Sequence, residues 1–162
     1  MRQTFTVATP SHAALVPIDR EVQSAIDALG LRDGVLHLFT LHTTCALLIN
    51  ENADPDVVGD VLRRLETMVP WQVAGDRHGE GNSAAHVKSL LIGPDLTLPV
   101  QDGQPLLGTW QGVFLAEFDG PRRRTVSSRT AFCRPSRTRR SGPSSSGTWP
   151  ERLTSSVISS RR

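Results

Sequence analysis

The most informative stretch of the chain is residues 76–91, DRHGEGNSAAHVKSLL, which places two histidines, the carboxylate of Glu80 and an asparagine where a glycine-rich loop meets an apolar segment. Asn82 is a favoured residue at a helix N-terminus, so we predict a helix that begins directly after it. Val87 and Leu91 lie four residues apart and would share one face of this helix. The polar side chains then gather at the helix start, a position that favours anions or metal ions.

Working outward from this stretch, the charge divides the chain into an acidic body and a basic tail. Residues 1–120 hold 7 Lys and Arg against 15 Asp and Glu, a net charge of −8, whereas residues 121–162 hold 11 against 1, a net charge of +10. The full 162 residues are enough for one domain with a core and too few for two. We expect a folded domain over residues 1–126. The Arg-, Ser- and Pro-rich residues 127–162 lack apolar periodicity, and we expect them to be disordered.

The chain shows no sign of a membrane segment. No run approaches the roughly 18 apolar residues that a membrane helix needs, and the N-terminal MRQTFTVATP lacks the apolar core of a signal peptide. Cys45 and Cys133 form no disulfide framework, which fits a reducing compartment. We therefore expect a cytoplasmic protein with no membrane partner. An Arg- and Ser-rich tail can bind nucleic acid, but charge runs are usually solvated, so we do not expect nucleic acid as a partner.

The first half of the chain predicts alternating strands and helices. Phe5 and Val7 alternate with polar residues, which indicates a first strand over residues 3–8. Apolar residues at helical spacing follow Asp19, and Gly30 ends the predicted helix. Two β-rich runs, VLHLFTLHTT and ALLIN, then flank Cys45. They are expected either to pair as neighbours or to form one bent strand.

The second half predicts the longest helix and the remaining strands. Asp54 and Pro55 are favoured residues at a helix start, and an apolar stripe continues from there to Pro70. Residues 96–100, 106–107 and 111–118 read as strands, with a hairpin turn at Gly103. These patterns predict an α+β fold with mostly antiparallel sheets.

Three segments of the chain resemble the YjbQ-like family, also described as the secondary thiamine-phosphate synthase enzyme family. They are LHTTCALLINENADPDVVGDVL, RHGEGNSAAHVKSLLIGPDLTLPVQDG and LLGTWQGVFLAEFDGPRRR, and the likeness covers about residues 5–126. The resemblance implies a β-sandwich-like α+β fold with two to three helices. It also implies a homotrimer that acts on small phosphorylated metabolites at sites near subunit contacts. The implied reaction joins a pyrimidine diphosphate to a thiazole phosphate and releases pyrophosphate.

The tail departs from this resemblance. The family continues past the arginine run with one more β-rich strand, whereas this chain continues with SSRTAFCRPSRTRRSGPSSS. Such a composition is typical of a shifted reading frame in GC-rich DNA, so we interpret the tail as the product of a frameshift. Loss of the last strand would leave an unpaired sheet edge.

His42, His78 and His86 match the family's motif histidines. Three imidazoles can hold a divalent ion, Zn²⁺ or Mg²⁺, and leave one position open for water or substrate. Their spacing alone does not require a metal, because a histidine in a strand is more often a hydrogen-bonded core residue. The resemblance therefore predicts a metal site formed by the three histidines, with His42 also in a catalytic role.

The remaining candidate catalytic residues are Glu80, Gln111 and Glu117. Glu117 lies among apolar residues, where a carboxylate is costly unless it is paired. Gln111 and Glu117 share one strand face and are expected to address one pocket from opposite ends. The alternative is a carboxylate on an edge strand that faces water.

Candidate substrate-binding residues supply hydroxyl, amide or charged groups for a phosphorylated ligand. An arginine side chain binds phosphate through paired hydrogen bonds, although the arginines after FDGP can equally be the solvated start of the basic tail. The candidates are Thr43, Thr44, Glu51, Asn82, Arg122 and Arg123.

Three functions remain open at this point. The first is the synthase-like transferase, in which pyrophosphate departs as the thiazole nitrogen attacks. The second is a metal-dependent hydrolase of a phosphorylated metabolite, with Glu80 or Glu117 as the base. The third is a non-catalytic trimer that binds a metal or a metabolite.

Overall fold

The computed structural model describes residues 2–131, which form eight strands and three helices. The strands are β1 (Arg2–Ala8), β2 (Ala14–Pro17), β3 (Gly34–Thr40), β4 (Cys45–Glu51), β5 (Asp95–Gln101), β6 (Gln104–Pro105), β7 (Gln111–Glu117) and β8 (Arg123–Ala131). The helices are α1 (Asp19–Leu29), α2 (Pro55–Met68) and α3 (Ser83–Ile92). The predicted disorder is wrong for residues 127–131, which form the end of β8, and the rest of that prediction, with the frameshift, concerns residues 132–162, which lie outside the described part.

The strands form two antiparallel sheets, in the orders β1-β8-β3-β5-β6 and β2-β7-β4. The α+β expectation is thus confirmed. Neither alternative for the two β-rich runs around Cys45 is right: β3 and β4 do not pair and are not one bent strand, because the chain leaves the larger sheet after Thr40 and enters the smaller one at Cys45. Leu38 of β3 and Leu47 of β4 are both buried in the core between the sheets, so each strand contributes its apolar face to the same core from opposite sides.

The last strand, which the composition led us to regard as lost, is present in the middle of the larger sheet. β8 pairs with β1 on one side, Arg2 opposite Arg129, and with β3 on the other, Leu38 opposite Ser128. The folded domain therefore extends past the expected boundary at residue 126. Ser128 is 0% exposed on the inward face of β8, and Ser127 is 7% exposed on the outward face, where it stands between Thr4 of β1 and Phe39 of β3.

Helix α1 packs into the core between the two sheets. Val22, Ile26 and Leu29 are buried there, and the predicted stop at Gly30 is confirmed by its left-handed backbone, φ 62°. Glycine adopts this conformation without a steric penalty.

Helices α2 and α3 cover the other face of the three-stranded sheet. Asp54 caps α2 as predicted, since its side chain accepts a hydrogen bond from the Asp56 backbone N–H at 2.9 Å. The helix predicted after Asn82 is confirmed, and the face shared by Val87 and Leu91 does not point into the core. Val87 and Leu91 are 43% and 60% exposed, whereas the small residues Ala84, Ala85 and Ser89 are buried.

Small side chains let α3 approach the sheet closely. The Ser89 hydroxyl donates a hydrogen bond to the Cys45 carbonyl of β4 at 2.7 Å. Lys88 is also buried and pairs with Glu66 of α2, which ties the two helices together. Close backbone approach thus takes the place of large apolar side chains on this helix.

Two strand predictions differ from the structure in detail. Strand β2 was missed, and the strand expected at residues 106–107 is instead the two-residue β6, with Leu106 exposed. The predicted turn at Gly103 is confirmed, with positive φ at both Asp102 and Gly103. No helix within residues 2–131 has the length and apolar character needed to cross a membrane.

Candidate functional site

A buried ion pair between Glu117 and Arg124 joins the two sheets. The side chains are 0% and 4% exposed, and both guanidinium nitrogens Nε and Nη2 donate to the carboxylate. Glu117 Oε2 also accepts from the Thr9 hydroxyl at 3.0 Å, and Oε1 accepts from the backbone N–H groups of Phe118 and Asp119. Five donors therefore satisfy this one carboxylate, and neither of the roles expected for it, a water-facing edge residue or a free base, fits its surroundings.

Both members of the pair are held in their charged forms. Burial acts to raise the pKa of Glu117, but the hydrogen bonds from Arg124 and from the Asp119 backbone outweigh it, so the pKa lies below its ordinary value. Burial likewise acts to lower the pKa of Arg124, and the adjacent carboxylate raises it above its ordinary value. Arg124 also donates to the Thr44 hydroxyl at 2.9 Å, which explains why Thr44 is buried rather than available to a ligand.

His42 lies next to this pair and is held in one tautomer. The backbone N–H of Thr125 donates to His42 Nε2 at 2.7 Å, so Nε2 carries no proton. Burial, and then the positive charge of Arg124, lower the pKa of His42 below its ordinary 6.5. The ring is therefore neutral at pH 7, and its proton is on Nδ1.

This hydrogen bond does not fit the expected three-histidine metal site. A histidine ligates a metal through an unprotonated nitrogen, and the one unprotonated nitrogen of His42 is already bonded to the backbone. The rings of His78 and His86 lie near each other with centroids 5.2 Å apart, and His86 lines the same pocket as His42. No group of three His, Cys, Asp or Glu side chains within residues 2–131 is arranged to hold a metal ion. The metal site of His42, His78 and His86 stays a prediction, and metal analysis of the purified protein tests it.

A pocket of about 630 Å³ opens beside His42. This volume suits a small-molecule ligand, and mixed walls with a few polar groups are typical of such sites. The polar lining residues include His42, Thr43 and His86, and the apolar ones include Phe39, Leu41, Leu90 and Pro94. The pocket thus combines a fixed N–H donor with apolar surfaces that can contact a ring.

The start of α3 connects to the same region through Asn82. Its Nδ2 donates to Glu80 at 3.1 Å and to Asp119 at 3.0 Å, while its buried Oδ1 has no hydrogen-bond partner within the described residues. Asn82 thus precedes α3 as predicted, but its side chain does not cap the helix. Asp119 in turn accepts from Arg122 at 2.8 Å, so a chain of polar contacts runs from the loop to the arginine run.

The three consecutive arginines have three different environments. Arg124 points inward and is buried, Arg123 lies on the outward face of β8 and is exposed, and Arg122 is half exposed at its pairing with Asp119. Of the three, Arg122 is both near His42 and accessible. Arg123 is directed away from Glu117 because successive side chains of a strand alternate between faces.

Gln111 and Glu51 lie at the opposite end of the smaller sheet from this cluster. They face each other across β7 and β4, whereas Glu117 is opposite Cys45, six residues along β7. Six residues of strand span about 20 Å. The expectation that Gln111 and Glu117 address one pocket is therefore wrong, and the exposed Gln111 bonds instead to the backbone of its own loop, at Gly108.

Sequence reasoning missed Thr9 and Asp119 and did not single out Arg124. Thr9 directly follows β1 and is buried, with its hydroxyl bonded to both Glu117 and the backbone of residue 122. Asp119 lies in the FDG segment, between an apolar strand and a glycine, and this position of a carboxylate could have marked it as a candidate site residue. The role of Arg124 follows from strand alternation once β8 is recognised as a strand.

Comparison of folds places the chain among α+β proteins with the YjbQ-like fold. The conserved hypothetical protein TT1486 from Thermus thermophilus is similar with a TM-score of 0.75 and 47% sequence identity, over 80% of this chain and 99% of that one. The family model described as UPF0047 protein YjbQ-like matches residues 3–131, and the chain belongs to this family.

Curated relatives agree with this assignment. The UPF0047 protein YugU of Bacillus subtilis is 44% identical over 125 residues, which is 77% of this chain and 95% of that protein. The UPF0047 protein MJ1081 of Methanocaldococcus jannaschii is 46% identical over 122 residues, 74% of this chain and 86% of that protein. The match of the family model through residue 131 agrees with the position of β8 inside the domain.

Proposed function

We propose that the protein is a thiamine-phosphate synthase-like transferase that joins a pyrimidine diphosphate to a thiazole phosphate and releases pyrophosphate. The observation that supports this most is the neutral His42 ring, whose tautomer is fixed by Thr125 and whose proton is on Nδ1, at a pocket with apolar walls. A fixed N–H donor in a partly enclosed pocket can stabilise charge that develops on a departing oxygen. The apolar walls can hold the two rings of the substrates.

In this reaction the bond between the pyrimidine methylene carbon and the diphosphate oxygen breaks, and its electron pair leaves with pyrophosphate. The lone pair of the thiazole nitrogen forms the new carbon–nitrogen bond, so the step requires no base and no covalent enzyme intermediate. Negative charge grows on the leaving group. His42 Nδ1–H, the Thr43 hydroxyl and the accessible Arg122 side chain are the groups we assign to stabilise it.

A hydrolase needs a base to activate water, whereas the transferase step needs none. Glu117 accepts five hydrogen bonds and is fully buried, so it is not free to act as that base. Glu80 accepts one hydrogen bond, from Asn82, and is exposed, so it is the candidate base of the alternative hydrolase. The contacts of Glu117 favour the transferase over a hydrolase that uses this carboxylate.

The test is incubation of the purified full-length protein with both thiamine precursors, with thiamine phosphate and pyrophosphate measured over time. We expect both products, and we expect His42→Ala to lower kcat by roughly tenfold to a hundredfold, because it removes one donor to the leaving group. His12→Ala is the matched control, since His12 packs on Trp71 away from the pocket. Phosphate released from one precursor alone would indicate the hydrolase, and tight binding without turnover would indicate a binding protein; either result contradicts the transferase.

The proposal includes a homotrimer in the cytoplasm. It is supported by apolar side chains that remain exposed around the pocket, with Val87, Leu90 and Leu91 of α3 at 43%, 80% and 60%. Contiguous exposed apolar residues are typical of protein interfaces. Light scattering should give a trimer mass for the wild type and a smaller mass for Leu90→Glu/Leu91→Glu, whereas a monomeric wild type contradicts this part of the proposal. The buried free thiol of Cys45 is compatible with a reducing compartment.

A further inference from the structure

The outward face of the five-stranded sheet carries a row of basic side chains across three neighbouring strands. Arg129 of β8 stands directly opposite Arg2 of β1 on one side and His37 of β3 on the other. Directly opposite residues of antiparallel strands point to the same face, with Cβ atoms roughly 5 Å apart. Three basic groups are therefore side by side on a face that points away from the core.

A groove of about 370 Å³ runs along this row. Its lining residues are Arg2, His37, Phe39, Leu41, Ser127 and Arg129. Two residues before Arg129 on the same face of β8 is Ser127, which stands opposite Thr4 of β1 and Phe39 of β3. The small Ser127 side chain lies beside the Phe39 ring, which is 40% exposed. The groove thus combines cationic, hydroxyl and aromatic groups within one small volume.

The charges of this row are not balanced by nearby carboxylates. Within residues 2–131 neither Arg2 nor Arg129 forms an ion pair, and the acidic residue in contact with the row is Asp95, which lies 3.3 Å from His37 Nε2. Like charges directly opposite each other destabilise a sheet. Arg2 belongs to residues 1–120, with a net charge of −8, and Arg129 to residues 121–162, with a net charge of +10, so the strand pairing brings together two arginines from oppositely charged parts of the chain.

We propose that this groove binds the phosphate or diphosphate group of a small phosphorylated metabolite, at an anion site that adjoins the pocket beside His42 and shares Phe39 and Leu41 with it. Two guanidinium groups on adjacent strands can each donate paired hydrogen bonds to phosphate oxygens, and the bound anion removes their mutual repulsion. The Ser127 hydroxyl supplies a further donor, and Phe39 contacts the organic part of the ester. The site does not rest on the proposed transferase activity, because Arg2, Ser127 and Arg129 lie outside the His42 pocket.

The test is titration of the full-length protein with inorganic pyrophosphate, followed by calorimetry and by the backbone amide NMR signals of Ser127 and Arg129. We expect these signals to shift, and we expect Arg2→Gln and Arg129→Gln each to weaken the binding by roughly tenfold, since each removes charge-assisted hydrogen bonds. Both arginines are exposed, so neither substitution should disturb folding. Arg64→Gln, an exposed arginine of α2, is the control and should bind as the wild type does.

Two outcomes would overturn the proposal. One is a wild-type protein that binds no pyrophosphate at millimolar concentration and low salt. The other is binding that shifts only the signals of His42 and Thr43 and that both arginine variants retain. The His42→Ala variant separates this site from the proposed transferase, because it should lose turnover and still bind pyrophosphate at Arg2 and Arg129.

Discussion

Two arginine–carboxylate pairs stand almost next to each other in the chain and differ in nearly every physical respect. The side chains of Arg124 and Glu117 are 4% and 0% exposed, whereas those of Arg122 and Asp119 are 51% and 15% exposed. The first pair is surrounded by further hydrogen bonds from Thr9 and from the backbone. The second is open to solvent on the arginine side.

The difference shows that burial, more than the residue types, decides what an ion pair contributes. A buried pair is costly to form, and removing one partner leaves an uncompensated charge inside the protein. An exposed pair is screened by water and contributes little stability, so its arginine remains available to a ligand. The buried pair is therefore the rigid part of the region around His42, and the exposed pair is the adaptable part.

The largest effect should come from breaking the buried pair. We expect Glu117→Gln to lower the free energy of unfolding by about 3–5 kcal/mol, because Arg124 then stays buried without its counter-charge. Urea or thermal unfolding measures this loss. Asp60→Asn, which breaks the exposed pair with Arg63, is the control and should leave the unfolding curve close to that of the wild type. Equal losses of unfolding free energy in Glu117→Gln and Asp60→Asn would contradict the idea that the buried ion pair contributes more than the exposed one.

Acid should act on the buried pair in a defined direction. Because the folded pKa of Glu117 lies below its ordinary value, the pair stabilises the protein fully above the ordinary carboxylate pKa of 4.5, and this contribution is lost as the pH falls through the lower folded value. Unfolding curves measured from pH 6 downward should show a steep loss in the wild type and a shallower one in Glu117→Gln. If stability fell equally with pH in the wild type and in Glu117→Gln, the Glu117–Arg124 pair would not be the source of the acid sensitivity.

A smaller effect is expected for the exposed pair. Arg122→Gln should cost no more than about 1 kcal/mol of stability, since the pairing with Asp119 is open to water. If the transferase proposal holds, the same substitution should lower kcat well beyond what the stability loss explains. Thermal unfolding and turnover, measured on the same preparation, separate the two contributions.

The last prediction concerns the tautomer of His42 and is tested on the wild-type protein without a substitution. Nitrogen-15 NMR of His42 should show a protonated Nδ1 and an unprotonated Nε2 at pH 7, because the Thr125 N–H donates to Nε2. The titration midpoint of the ring should lie below 6.5, since burial and the charge of Arg124 lower its pKa. A proton on Nε2 would mean that the backbone contact is absent and that the ring is again available to a metal.

Local patterns in the sequence were sufficient for the helices. The spacing of apolar residues and the Gly30 stop predicted α1, and Asp54 with Pro55 predicted the start of α2, because caps and helical periodicity depend on neighbours within one or two turns. The spacing of Val87 and Leu91 does not reveal which face of α3 is buried, for a physical reason. Its contact with β4 is a close approach of small residues, and apolar periodicity selects large ones.

The features that the sequence did not reveal depend on contacts distant in the chain. β8 consists largely of Arg, Thr and Ser, and only its pairing with β1 and β3 makes it a strand. The apolar neighbours of Glu117 correctly indicated a carboxylate that needs a partner. Choosing Arg124 among the three arginines required knowing that β8 is a strand, whose side chains alternate between its two faces. The tautomer of His42 likewise depends on a backbone group 83 residues away.

The central position of β8 also sets the order in which the domain can assemble during translation. β1 is made first, yet its hydrogen-bonding partner begins only at Arg123, 115 residues after Ala8. At a synthesis rate of about 5–20 residues per second, the first strand waits on the order of ten seconds without a partner. The larger sheet can therefore be completed only after β8 has been synthesised. On a ribosome stalled before β8, the strands of the smaller sheet and the helices are present, but the N-terminal strand β1 has no partner. Nascent chains ending before residue 123 should accordingly be much more sensitive to protease at residues 2–8 than chains that include β8.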